Sequence, residues 1–176
     1  MLISKENLSV IIVTFKSDHI IHRCINSIDK EIEIIVVDNS KNKNFKNNIE
    51  NKYKNVKCIL SDKNIGMGAG NNLGIKNVKK DFVLILNPDV ILKKNTINEI
   101  INASKKIDNF GVISPISDKQ KYPNFKLFKN ENYRFNQSKP FKVKTVDGYS
   151  MLLNLKRLKN LKDFNFFDEN FFLYLE

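Results

Sequence analysis

Apolar residues along this chain alternate between short continuous runs and longer stretches of helical spacing. Leu8 to Phe15 (LSVIIVTF) is dense in β-branched residues, and after Lys16-Ser17-Asp18 a helical pattern carries through to Ile28, which predicts strand, loop and helix. Ile32 to Asp38 (IEIIVVD) repeats the arrangement with Asn39-Ser40 as its turn, Val56 to Ser61 (VKCILS) predicts a third strand, and Phe82 to Asn87 (FVLILN) a fourth. Helices are predicted near 44–52 and 67–79, and from Thr96 to about Ile107. A strand with one wet face would alternate apolar and polar side chains. These do not, so they predict an α/β fold whose mostly parallel sheet is covered by helices on both faces. After Gly111 the pattern weakens. VISPIS from Val112 reads as a strand, Lys119 to Lys142 is polar, aromatic and irregular, and VDGYSMLLNL (146–155) resumes a strand. With no repeat or linker, the reading is a single domain over 1–176: a nucleotide-binding half over about 1–110, and about 111–176 built onto it.

Composition narrows the class. The chain has 176 residues, 41% of them hydrophobic, enough for a core that needs no disulfide or structural metal. Cys24 and Cys58 lie far from any C-x-x-C spacing and read as small buried thiols of a reducing cytosol. Lys5 and Glu6 interrupt the N-terminus too early for a signal peptide, and no apolar run approaches the about 18 residues of a membrane span. The formal charge is +11. Its lysines are spread along the chain and only Arg23, Arg134 and Arg157 are arginine, which speaks against a nucleic-acid reader and leaves diffuse attraction to an anionic membrane surface as the residual meaning.

In open α/β sheets ligands bind beyond the carboxyl ends of the strands, so the residues that follow each strand carry the chemistry. They are Thr14-Phe15, Asp38-Asn39-Ser40, Asp62 to Gly70 and Asn87-Pro88-Asp89. Asp38 reads either as an acceptor for a base or ribose or as an Asx turn that ends its strand. The glycine-rich stretch from Asn64 to Gly74 (NIGMGAGNNLG) opens a helix. Its glycines admit either a phosphate-bearing ligand or tight packing, and its spacing is neither the dinucleotide fingerprint nor a P-loop. Asn87-Pro88-Asp89 places a carboxylate at the lip of the sheet, where it can share a hard divalent cation with diphosphate oxygens and water or only help cap the following turn. His19 and His22, with no third ligand nearby, read as ordinary helix residues. In the final stretch aromatics surround Asp168, Glu169 and Glu176; the stripe reads either as core or as apolar surroundings that raise a carboxylate pKa into the range of a base. A nucleotidyltransferase would carry a glycine-rich basic loop after its first strand, and TFKSDH has no glycine.

Six strings in order, SVIIVTF, IIVVDNS, NIGMGAGNNLGI, VLILNPDV, DGYSMLL and FDENFFLYLE, span nearly the whole chain. Together they resemble the family 2 glycosyltransferases, inverting enzymes of the Rossmann-like GT-A fold, and within them the bacterial rhamnosyltransferase-like branch. The resemblance implies that Thr14 and Phe15 line the nucleotide pocket, Asp38 contacts the base, and Asn64 and Gly66 lie along the nucleotide-sugar. It also implies that Asn87 and Asp89 stand for the D-x-D element, with Asp89 holding Mg or Mn, and that Gly148 and Tyr149 border the sugar and acceptor cleft. Asn87 replaces the first carboxylate of that element. Glu176 matches the glutamate of the catalytic E-D pair, and the sequence stops before the aspartate, which implies an acceptor-side portion cut short. The implied activity moves rhamnose or another hexose from a nucleotide-diphospho-sugar to a glycan or lipid-linked acceptor in cell-surface polysaccharide synthesis. It would take place in the cytoplasm, at the inner face of the membrane. The alternative is an inactive nucleotide-sugar-binding remnant without its general base.

Overall fold

The computed structural model describes residues 2–116, 123–129, 140–161 and 165–172. A 3-10 turn at Lys5–Asn7 leads into β1 (Leu8–Thr14), followed by α1 (Asp18–Asn26), β2 (Glu33–Asp38), α2 (Lys43–Lys52), β3 (Val56–Leu60), α3 (Gly66–Lys76), β4 (Phe82–Leu86) and α4 (Thr96–Ser104). Short strands β5 (Val112–Ile113), β6 (Phe125–Lys126) and β7 (Thr145–Val146) precede β8 (Ser150–Asn154) and α5 (Leu155–Leu158). The main sheet has the order β3-β2-β1-β4-β8-β5. β1 pairs in parallel with both β2 and β4, and β2 with β3, while β8 runs antiparallel to β4 and to β5. Both faces are covered, as the continuous apolar strands require. Val10, Ile12, Ile34, Val36, Leu84, Leu86 and Leu152 meet Ile21 and Cys24 of α1, Phe45 and Ile49 of α2, and Ile97 and Ile101 of α4. On the opposite face Ile11, Val13, Ile35, Val37, Val83, Ile85 and Leu153 meet Ile75 of α3 and Leu155 and Leu158 of α5. Each fully buried aliphatic side chain contributes about 1.5–3 kcal/mol over an exposed one, so these two layers hold the sheet.

Three details depart from the sequence reading. VISPIS yields a strand of two residues, because Pro115 has no amide to continue a ladder. The run 146–155 is split: β7 ends at Val146, Asp147-Gly148 turns, and β8 starts at Ser150. The irregular stretch contains one arm of a small hairpin, β6 paired with β7.

The chain order β1-β2-β3 runs outward on one side of β1, then crosses to place β4 on the other side. That reversal opens a crevice at the carboxyl ends of β1 and β4. Because β8 is antiparallel, its amino end reaches the same edge: Ser150 pairs with Leu86, and Leu86 with Ile12.

Candidate active site

The crevice is lined from the strand ends outward. Thr14 closes β1 and is buried. Its carbonyl accepts from the Asn39 amide at 2.8 Å, and its Oγ1 has no hydrogen-bond partner. Phe15 follows it at the surface, 46% exposed, with the Lys16 ammonium 5.3 Å from its ring centroid.

Asp38 ends β2, also buried. Its Oδ1 accepts from the Ser40 amide (3.0 Å) and hydroxyl (2.6 Å), and its Oδ2 accepts from the Asn42 amide (2.8 Å). The Asx-turn reading is thus realised. A carboxylate has about four lone-pair sites, so these three bonds leave room for one more donor. Asn39 points the other way. Its Nδ2 donates to the Gly66 carbonyl at 2.8 Å, and its Oδ1 accepts from the Ser61 hydroxyl at 3.0 Å. The end of β2 is thereby tied to the first residue of α3.

Asn64 caps that same turn, its Oδ1 accepting from the Gly66 amide at 3.2 Å. Gly66 has φ +83°, where L side chains are strained, and a β-carbon there would stand 2.4 Å from the Phe172 carbonyl oxygen. Gly70 and Gly74 serve packing: β-carbons would stand 2.7 Å from Val13 Cγ1 and 2.7 Å from Ile11 Cγ2 respectively. One glycine stretch therefore lets α3 lie flat on β1 and admits the 165–172 segment at its start.

Beyond β4, the Asn87 amide donates to the Tyr149 carbonyl at 3.0 Å, and the Asn87 carbonyl accepts from the Val90 amide at 3.1 Å, closing a turn around Pro88. Asn87 Oδ1 is buried without a partner, and Asp89 is exposed. Beneath them Cys24 Sγ lies 3.6 Å from the Asn87 carbonyl. Burial pushes the Cys24 thiol up to about 12, with the Asp89 carboxylate adding to the effect. Among the described residues no three His, Cys, Asp or Glu side chains gather to hold a metal. A cation here would rest on Asp89 and Asn87 Oδ1 and take its remaining oxygens from a diphosphate and water, a donor set that suits Mg or Mn.

The β8 end supplies Gly148, exposed and with only Met151 Cε near a would-be β-carbon, at 3.7 Å. Ser150 is buried, and its Oγ lacks a partner. The Tyr149 hydroxyl donates to the Pro115 carbonyl (3.2 Å), and Asn124 Nδ2 reaches both that hydroxyl (3.3 Å) and the same carbonyl (2.9 Å). Burial raises the Tyr149 pKa, with the Asp147 charge as a second cause. His22 lies outside the crevice, its Nδ1 3.1 Å from the Tyr53 hydroxyl. Glu176 lies outside the described residues.

Thr14, Asp38, Asn87, Asp89, Gly148 and Ser150 thus come from four strand ends at one edge of the sheet. Ser150, Asn124 and Asn72 were not singled out from the sequence. Ser150 stood inside DGYSMLL and Asn72 inside NNLG, but the segments they meet, β4 and residues 167–169, are remote in the chain.

A mostly parallel α/β sheet with helices on both faces, a polar crevice at its topological switch point and an antiparallel strand closing one side is the GT-A architecture. Residues 9–162 match the family model "Glycosyl transferase family 2", and the chain belongs to that family. It is 32% identical over 114 residues to the low-salt glycan biosynthesis hexosyltransferase Agl10 of Haloferax volcanii, covering 62% of this chain and 36% of that protein. It is 27% identical over 113 residues to the poly(ribitol-phosphate) beta-N-acetylglucosaminyltransferase TarP of Staphylococcus aureus, covering 57% of this chain and 34% of TarP. The chain therefore spans about a third of the length of these relatives. Among solved structures, S. aureus TarS 1-349 superposes with a TM-score of 0.63 at 22% identity, over 88% of this chain and 48% of that one. The mannosyltransferase PcManGT of Pyrobaculum calidifontis, in complex with GDP-Man and Mn2+, gives 0.65 at 13% identity, over 90% and 47%. These likenesses establish the shared fold. Among the described residues no helix is long and apolar enough to cross a membrane.

Proposed function

We propose that this chain transfers a hexose, rhamnose or a related sugar, from a nucleotide-diphospho-sugar to a hydroxyl of a glycan or lipid-linked acceptor in cell-surface polysaccharide synthesis. The observation that carries this reading is the set of buried, unpartnered polar atoms at the crevice: Thr14 Oγ1, Asn87 Oδ1 and Ser150 Oγ. A buried polar atom without a partner costs about 1–3 kcal/mol, and a polyhydroxylated ligand with a diphosphate would satisfy such atoms. Family membership supports sugar transfer, and two solved neighbours carry UDP and GDP-Man in their own complexes.

In this reading residues 1–110 form the donor half and 111–176 the acceptor side. Phe15 offers an exposed aromatic face to the base, and Asp38 has the lone pair to accept from it. Asn64, Gly66 and Asn87 lie along the donor, with Gly148 at the acceptor rim. Mg or Mn, held by Asp89 with Asn87 beside it, would supply charge neutralisation for the diphosphate. Transfer with inversion forms a bond from the acceptor oxygen to the anomeric carbon and breaks the bond from that carbon to the diphosphate oxygen. The acceptor proton passes to a carboxylate base on the acceptor side; Glu176 is the residue that matches the catalytic E-D pair, and the sequence stops before the aspartate of that pair. The diffuse positive charge suits a site of action at the inner, anionic face of the membrane.

A thermal-shift panel of UDP, GDP and dTDP with and without manganese tests the donor site. A stabilising shift with one nucleotide is expected, with a manganese-dependent part that Asp89→Ala removes. No shift with any of the three overturns the reading.

A further inference from the structure

The Asn72 side chain makes three hydrogen bonds to a segment about 95 residues away. Its Nδ2 donates to the Phe167 carbonyl (2.9 Å) and to Glu169 Oε1 (2.9 Å), and its Oδ1 accepts from the Phe167 amide (3.2 Å). A primary amide carries donor and acceptor in one plane, so Asn72 pairs with the Phe167 backbone as a strand neighbour would. Asn72 is only 6% exposed, so water does not compete for these bonds. Asparagine is a poorer helix former than alanine, so propensity gives no reason for it inside α3.

The same segment is held at a second point. The Met67 amide donates to the Phe172 carbonyl at 3.0 Å, and that oxygen lies where a side chain at Gly66 would begin. At the first of these ties Phe166 and Phe167 pack against the apolar layer that includes Ile75 of α3. Residues 165–172 are therefore fastened to the two first turns of the helix whose start carries Asn64 and Gly66.

We propose that Asn72 is a positioning residue. It holds the acceptor-side segment in register with the donor-side helix, so that groups on the two sides of the crevice keep a set separation. The proposal rests on the transferase reading for its catalytic consequence and on the geometry alone for the register itself.

Hydrogen exchange of the full chain reads the register. In Asn72→Ala, the Phe167 and Met67 amides should both exchange at least about tenfold faster, the factor that loss of one hydrogen bond produces, with β1 to β4 unchanged. Release of nucleoside diphosphate, measured over a panel of UDP-, GDP- and dTDP-hexoses, reads the consequence. For the sugar nucleotide that the wild type consumes, kcat should fall about tenfold while the donor KM stays within about twofold, because the donor contacts are intact. Asn72→Ser keeps a neutral hydroxyl that can donate or accept but is too short to make all three bonds. It should lie between the wild type and alanine in both measurements, and it serves if the alanine variant does not fold. Wild-type exchange at Phe167 and Met67 in the variants, or faster exchange at Phe167 alone, overturns the register. Faster exchange at both with kcat unchanged overturns the positioning role. A wild type that consumes no sugar nucleotide, with both amides released in the variant, overturns the transferase reading and supports the register.

Discussion

Asn39 donates from its side-chain amide to the Gly66 carbonyl at 2.8 Å, joining the carboxyl end of β2 to the first residue of α3 across 27 positions of sequence. Two walls of the crevice meet at this bond, and the Ser61 hydroxyl at 3.0 Å fixes the other end of the same side chain.

Asn39→Ala removes both bonds and deprives the Gly66 carbonyl of its donor, while the Ser61 hydroxyl keeps the Lys63 carbonyl at 2.6 Å. The variant should lose about 1–3 kcal/mol of stability, seen in urea unfolding as a lower midpoint with an unchanged slope. Because α3 then loses its anchor to β2, the thermal shift produced by a nucleoside diphosphate should also shrink.

Gly70→Ala places a β-carbon 2.7 Å from Val13 Cγ1, and a β-branched side chain in a central strand has little freedom to move away. Overpacking of this kind costs about 1–3 kcal/mol, offset in part by alanine's better helix propensity of about 1 kcal/mol. Val13→Ala alone should also destabilise by leaving a cavity. Together the two should cost less than their separate effects combined, by about 0.5–3 kcal/mol, because the new methyl enters the space that Val13 vacates. Strict additivity in a double-mutant cycle would show that α3 does not press on β1 as described.

Cys24 and Cys58 are both buried, and burial pushes each thiol from 9.0 up to about 12. At pH 8 the thiolate fraction of the folded chain is then about a thousandfold below that of the unfolded chain. Iodoacetamide at pH 8 should leave both unmodified in the native protein and label both in denaturant, as read by mass spectrometry. Since the folded value lies above the unfolded one, the thiols favour folding below pH 9, and that contribution is lost as the pH rises from 9 through about 12.

The main sheet was legible because strands buried on both faces must be continuously apolar. Thr14, Asp38 and Asn87 stood out as the first polar groups after such runs. The direction of β8 was not legible: MLL packs equally well in a parallel or an antiparallel strand, and only its pairing with β4 selects the second. Nor was the division of labour among the glycines. Spacing alone does not distinguish a glycine that admits a ligand from Gly70 and Gly74, which admit Val13 and Ile11. Asn72 and Asn124 escaped notice because a single polar side chain has no periodic signal, and its meaning lies in the partner.

Local burial demands and turn chemistry, which act over a few neighbouring positions, already specify the layered α/β fold, the succession of its first four strands along the chain and the residues that end them. Tertiary structure alone decided the antiparallel closure that brings Ser150 and Tyr149 beside Asn87 and the fastening of residues 165–172 to α3. Both depend on hydrogen bonds between segments far apart in the chain, the first on backbone pairing of β8 with β4 and the second on the Asn72 side chain together with the Met67 amide, and no pattern over neighbouring positions encodes such a pairing.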